Sequence, residues 1–417
     1  MEQTSSKKGM ITTLILCFMI AIIEGFDLQS MGVAAPRMKA EMLLSISQMG
    51  WEFSADVLGT LPGALIAGRY ADAIGRKKVL IICIAIFGLM SLFTPFVQEY
   101  SILLLVRFLT GIGMGGALPI VITMVSEAVS EKYKATAVSS MYCGMPIGGI
   151  LTSVVALSLT ADHEWRYIFY FGGLAPLVLI PVLIYLLPES KAYLSTDQKI
   201  IKQKKSLMDV LFNKDRIVVT ICLWLSFFGT LLVLTLLQNW LPTLISGIGL
   251  SKAQGSYIQI GFNLGGFIGV LMLGLMLDRL NKGLIVKCVY LGVLISLICL
   301  AFSNNFMAFA VSAVACGMFI IGCQSILYTL SAKYYPTEMR GSGVGAAVSV
   351  GRLGAFIGPL VAGYLLSIGQ SEIFVFASSI PMILLAAISA LILLRKPEYA
   401  AQTSEDLTHN QVKKELA

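Results

Sequence analysis

Apolar residues follow one another along the chain in blocks longer than any soluble helix or strand requires. Runs near the ~20 residues that cross a bilayer as a helix recur at 10–34, 48–70, 78–97, 101–125, 135–159, 165–187, 216–237, 254–277, 284–303, 305–331, 341–366 and 373–394. They predict twelve membrane-spanning helices. The runs are too long, and lack the two-residue alternation, for the strands of a barrel. An open sheet cannot satisfy its backbone in lipid, so the expected fold is all-α. Small residues four apart, as in Gly111 with Gly115 and Gly144 with Gly148, let neighbouring helices approach closely.

The longest polar stretch, PESKAYLSTDQKIIKQKKSLMDVLFNKDR, falls between the sixth and seventh runs. It predicts a six-helix bundle over 1–187, a linker over 188–215, a second six-helix bundle over 216–395 and a polar tail over 396–417. The two halves share landmarks at one offset. Gly68 with Asp72 corresponds to Gly274 with Asp278, Lys134 to Arg340, and Gly148 to Gly354, each 206 residues apart. Duplicated parallel halves are one of the repeat arrangements of secondary transporters, with the substrate site between the halves near the midplane.

Composition agrees with a polytopic membrane protein: 417 residues, 57% hydrophobic, 13% charged, and a mean hydropathy of +0.84. Lys and Arg are uneven among the loops. With the N-terminus inside, the inner segments hold most of them, from Lys7 and Lys8 through Arg76, Lys77 and Lys78 to the linker and tail, whereas the outer loops hold Arg37, Lys39, Arg166 and Lys252. Both termini are therefore expected on the cytoplasmic side of the membrane. The net charge of +7 follows from this topology and implies no nucleic-acid partner. The eight cysteines lie nearly all within apolar runs and read as packing residues. Two histidines, His163 and His409, fall in polar segments, so neither a metal site nor histidine-centred catalysis is supported.

Several polar residues break the apolar runs. Glu24 and Asp27, at i and i+3 in IIEGFDLQS, lie on one helix face, where burial and mutual repulsion let at least one carry a proton at neutral pH. Glu52 and Asp56 stand at i and i+4 in the second run and read as a further proton site, as partners of Arg107, or as the lining of a hydrated funnel. Arg107 sits roughly two turns, ~10 Å, inside the fourth run, and Arg352 about twelve residues, ~18 Å, into the eleventh. An intramembrane arginine is a functional candidate. Arg352 needs an anion, either a substrate carboxylate held bidentately or a permanent helix acid. Arg107 is open to the same alternatives. Tyr142, Tyr328, Phe227, Phe228, Trp51 and Trp240 could line a site for a ring or pack, and Gln324, Gln238, Asn239 and Asn263 could bond a phenol or bridge helices.

The stretch GRYADAIGRKKVL, residues 68–80, matches the G-x-x-x-D-x-x-G-R-[RK] signature of the major facilitator superfamily, through Gly68, Asp72, Gly75 and Arg76. Ala73 departs from the basic residue usual there. A second-half copy, GLMLDRLNKG, keeps Asp278 and Arg279 but loses the later glycine. RFLTGIGMGGALP resembles the fourth-span motif of the superfamily, and MYCGMPIGG, with Gly144, Pro146 and Gly148, is similar to the Gly-Pro motif of the fifth. EGFD, LPES, YYPTEMRGSGVG and GRLGAFIGPLVAG resemble the aromatic acid:proton symporter family. CFMIAIIEGFDLQSMGVAA, QMGWEFSADVLGTLPGAL, SSMYCGMPIGG, WLPTL, CQSILYTLS and AVSVGRLGAFIGP resemble its branch of 3-(3-hydroxyphenyl)propionate transporters. The resemblance runs almost end to end. It implies functional roles for Glu24, Asp27, Asp72, Arg107, Arg340 and Arg352.

The resemblance therefore implies proton-coupled uptake of an aromatic carboxylate by alternating access. Arg352 and Arg107 would hold the carboxylate, with Gln324, Tyr328 and Tyr142 around the ring, and Glu24, Asp27, Glu52 and Asp56 would couple protons. Gly68, Asp72, Gly75, Arg76, Asp278, Arg279, Arg340, Gly144, Pro146 and Gly148 would serve the change of conformation. The coupling ion is the proton. No ATP, metal or other cofactor is implied, no Walker motif occurs, and the transporter is expected to work as a monomer. The same fold could move muconate, nicotinate or a sugar acid, or export a drug. An enzyme would need a nucleophile and base converging on one cavity, and a receptor a signalling domain; the chain predicts neither.

Overall fold

The structure, a computed structural model, describes the backbone of residues 2–130, 133–190, 216–279, 281–335 and 340–396. The linker from 191 to 215 and the tail from 397 to 417 lie outside the described residues. The described chain is helical: α1 (Glu2–Met42), α2 (Ile46–Ile74), α3 (Arg76–Phe93), α4 (Tyr100–Ala128), α5 (Lys134–Tyr142), α6 (Gly144–Leu157) and α7 (Arg166–Leu186) in the first half. The second half contains α8 (Ile217–Gly247), α9 (Lys252–Arg279), α10 (Lys282–Phe302), α11 (Phe306–Tyr334), α12 (Arg340–Ser367) and α13 (Glu372–Leu393).

Thirteen helices make twelve spans because α5 and α6 are one span broken at Cys143. The cause is Pro146, which has no N–H for the carbonyl of Tyr142 four residues back. Among the described residues eleven segments are long and apolar enough to cross a membrane. The twelfth span, α2, is 29 residues long and carries Glu52 and Asp56 in its apolar run. Two spans run furthest past the C-terminal bounds set by hydropathy. α1 continues through Pro36 to Met42, and α8 through Gln238, Asn239 and Pro242 to Gly247. Buried polar side chains that find partners let both helices run on past the apolar stretch. α2 begins with a capping box, Ser45 and Gln48 each bonding the other's backbone N–H at 3.1 and 2.8 Å.

α1–α7 form one bundle and α8–α13 the other. The repeat seen in the sequence returns as a repeat of contacts. Gly111 presses α4 onto the backbone of Asp56 in α2, and Gly317 presses α11 onto Phe262 in α9, where any side chain would collide. Gly148 meets Ile22 as Gly354 meets Phe228. All four pairs of positions are 206 residues apart.

The halves touch along α1–α8, α2–α12 and α6–α9. Because the spans alternate in direction, one face of the molecule carries both termini and the other, the far face, carries the turns after α1, α8 and α12. α2 and α12 meet toward the far face, where a Cβ on Gly50 would lie 3.2 Å from the Pro359 carbonyl and one on Gly363 3.1 Å from Gly50. Toward the terminal face Gly68 and Gly345, on the same two helices, have no described heavy atom within 4 Å of a built Cβ. The halves are therefore joined on one side and splayed on the other. Three amides clasp them: Gln29 and Asn263 exchange bonds at 2.8 Å in each direction, and Gln259 donates to Gln29 at 2.8 Å. At the far face Lys252 pairs with Asp162.

Candidate functional site

Two groups of polar residues lie inside the membrane-spanning part. The first lies on the seam between the halves. Arg352, on α12, donates from Nη1 to the backbone carbonyl of Thr60 on α2 at 2.9 Å. Glu24, on α1, is close enough for its charge and that of Arg352 to act on one another. Tyr142, set at the break between α5 and α6, stacks across the seam on Tyr328 of α11, with ring centroids 5.9 Å apart and planes at 30°. Phe227 meets Tyr328 edge-on at 5.3 Å, and Gln324, one turn earlier on α11, is within hydrogen-bonding reach of the Tyr328 hydroxyl. Tyr142, Gln324, Tyr328 and Arg352 are partly exposed, whereas Glu24 is buried with its Oε2 unpartnered among the described residues. A guanidinium, a carboxyl group and stacked aromatic rings thus share one place, which suits a ring bearing a carboxylate.

The second group is enclosed in the N-terminal bundle. Arg107 is fully buried, and its Nη2 donates to Asp27 Oδ2 at 3.1 Å and Asp56 Oδ2 at 3.0 Å. Ser91 donates to the other oxygen of Asp27, and the N–H of Val57 donates to that of Asp56 at 2.7 Å. The Phe169 ring lies 5.6 Å from the guanidinium carbon. Glu52, also buried, stands one turn before Asp56. The close approach of α2 and α4 at Gly111, one turn from Arg107, allows this contact.

The sequence placed Glu24 and Asp27 on one face, and the structure divides them. Asp27 bonds Arg107 inside the bundle, while Glu24 has no described ion pair and lies within reach of the charge of Arg352. It brings Arg352, Gln324, Tyr328 and Tyr142 together; the ion-pair partners of Arg107 are Asp27 and Asp56, from its own half. Of the other polar candidates, Asn263 belongs to the amide clasp, Asn239 bonds back to the Thr235 carbonyl at 3.0 Å, and the carbonyl of Gln238 accepts from Gln259 at 3.2 Å. Trp240 is buried against Phe53 and bonds the Pro359 carbonyl at 3.0 Å, and Trp51 is half exposed.

At the terminal face Gly75 turns the chain from α2 to α3 with φ of 102°, a conformation that favours glycine. Arg76 pairs with Glu127 and donates to Ser190 at 3.2 Å; Ser190 in turn bonds Glu127. The backbone N–H of Lys77 donates to Glu189 at 3.1 Å, and its ammonium group to the Ile184 carbonyl at 2.7 Å. Glu127, Glu189 and Ser190 were missed in the sequence, although LPES puts two of them beside a basic loop. Gly144, Pro146 and Gly148 lie at the α5–α6 break, and Gly68 on the splayed part of α2. The side chains of Asp72, Asp278, Arg279 and Arg340 lie outside the described residues.

The family described as Major Facilitator Superfamily matches residues 17–359 and 223–416. The chain is 40% identical over 393 residues to the 3-(3-hydroxy-phenyl)propionate transporter of Escherichia coli (strain K12), covering 94% of this chain and 96% of that one. It is 34% identical over 383 residues to the gallate transporter of Pseudomonas putida, covering 85% of each. Among solved structures it is similar in fold to the xylose transporter XylE from E. coli in a partially occluded inward-open conformation. There the TM-score is 0.76 at 15% identity, over 94% of this chain and 98% of the other.

Proposed function

The chain belongs to the Major Facilitator Superfamily, and from that premise we propose that it takes up an aromatic carboxylate with protons by alternating access. The substrate class is that of a hydroxyphenylpropionate, hydroxycinnamate or hydroxybenzoate. The observation that carries this reading is Arg352 on the seam, beside Glu24 and the stacked rings of Tyr142 and Tyr328. The names of two relatives, a hydroxyphenylpropionate and a gallate transporter, point to the same class.

In this mechanism the substrate carboxylate and Glu24 compete for one cation. A proton on Glu24 frees the guanidinium for the substrate, and the bound substrate in turn favours the proton on Glu24, since such coupling is reciprocal. The ring lies against Tyr142 and Tyr328, and Gln324 bonds a ring hydroxyl. With the terminal face taken as cytoplasmic, the splayed helices describe an inward-facing state of a protein in the bacterial inner membrane. Substrate leaves, Glu24 releases its proton and its charge balances that of Arg352, and α2 and α12 rock to close around Gly68 and Gly345. The far face then opens as the Gln29–Asn263 clasp breaks. The transporter works as a monomer with the proton as its coupling ion.

Purified protein in liposomes, given labelled 3-(3-hydroxyphenyl)propionate, 4-hydroxybenzoate and muconate, tests the assignment. Uptake of the aromatic acids ahead of the open-chain diacid is expected. Preference for muconate, or for none of them, would overturn it.

A further inference from the structure

Glu52 is 1% exposed, and neither of its carboxylate oxygens has a partner among the described residues. Arg107, 0% exposed, uses only Nη2, and its Nε and Nη1 are likewise without partners. The two charges act on one another. Two orphan acceptors and two orphan donors therefore belong to one buried cluster, with bonding capacity left on both the carboxylate and the guanidinium. Groups left so are costly unless they are transient.

Charge counting adds to this. Asp27, Glu52 and Asp56 are buried in one cluster with one guanidinium, and their full ionisation would leave two uncompensated buried charges. The cluster must hold protons. Packing does not call for it, because the positions 206 residues later are Val233, Ile258, Phe262 and Ala313, all at 0% exposure in the same fold. Toward the far face, Glu52 acts on Tyr100, whose hydroxyl donates to the Gln48 carbonyl at 3.2 Å. No residue of the second half enters the cluster's described ion pairs.

We propose that Glu52 is a proton relay inside the N-terminal half, supplied from the Tyr100 end and separate from the substrate's path. The step is a transfer between carboxyl groups. The O–H bond of Glu52 breaks, the proton passes to Asp56, and Arg107 exchanges its Nη2 bond to Asp56 for one to Glu52 from Nε or Nη1. The charge of the cluster is unchanged by the exchange. Its titratable and charged neighbours are Asp56 on α2, Asp27 on α1, and Arg107 and Tyr100 on α4. This inference rests on the proton-coupled reading above, with Glu24 serving the substrate and Glu52 supplying a second proton site.

The test uses the full-length protein in liposomes with labelled 3-(3-hydroxyphenyl)propionate. Glu52→Gln is expected to keep exchange of labelled for unlabelled substrate, which needs no net proton movement, and to lower the accumulation driven by an inward proton gradient. Accumulation equal to the parent would overturn the proposal. So would loss of exchange and accumulation together, which would place Glu52 in the fold or the substrate path. Infrared spectroscopy supplies a readout that a structural role would not move: the carbonyl band of a protonated carboxylic acid, present in the parent and removed by Glu52→Gln. An unchanged band would also overturn it. If the parent itself takes up no protons with substrate, the coupled reading fails while the infrared result still reports on Glu52.

Discussion

Where the N-terminal half carries Asp27, Glu52, Asp56 and Arg107, the C-terminal half carries Val233, Ile258, Phe262 and Ala313 at the matching places. The helices around them meet in the same way, Gly111 on Asp56 and Gly317 on Phe262. Replacing a buried ion group by apolar residues of similar size is often neutral or stabilising by about 1–4 kcal/mol. The C-terminal half is thus the version that packing alone would select, and the charged one is retained for something other than stability. The other asymmetry runs in reverse. Arg352 stands in the second half where the first has Pro146, the residue that breaks the fifth span and sets Tyr142 against Tyr328. Under the proposed function, one half would hold the proton-bearing groups and the other the cation that binds the substrate anion.

Five substitutions would break or sharpen this contrast. Arg107→Met strands Asp27 and Asp56 without their cation; a loss of about 3–5 kcal/mol is expected, read as a fall in melting temperature together with loss of transport. Gly111→Val and Gly317→Val test the shared packing. Each should cost about 1–3 kcal/mol by overpacking, and a large difference between them in thermal melting would show that the two contacts are not equivalent. Arg352→Lys keeps the charge but loses the planar fork, so KM for the aromatic acid should rise about tenfold, near 1.4 kcal/mol, with melting unchanged. Tyr328→Phe removes the hydroxyl within reach of Gln324. It should weaken binding by about 0.5–1.5 kcal/mol, measured by competition, and leave the Tyr142 stack in place.

The spans, the duplication and the terminal-face motif were legible in the sequence because each is a local pattern: apolar length, a fixed offset, and a spacing of Gly68, Gly75 and Arg76. What escaped depends on distant partners. Spacing places Glu24 and Asp27 on one helix face but does not say that Arg107 of α4 bonds Asp27 and leaves Glu24 out of the ion pair. Arg107 was open to substrate or to ion pairing, and only the approach of α2 at Gly111 decides which carboxylates reach it. Glu127, Glu189 and Ser190 complete the Arg76 and Lys77 network from 51 to 114 positions away in the chain. α8 outran its apolar stretch because Asn239 and Trp240 bond carbonyls inside the protein.

Coupling to protons is the central claim, and the gradient itself is the direct test. In liposomes with an imposed inward proton gradient, labelled 3-(3-hydroxyphenyl)propionate should accumulate above its external concentration, and a protonophore should abolish that accumulation. Accumulation indifferent to the protonophore, with Glu24→Gln fully active, would contradict the account.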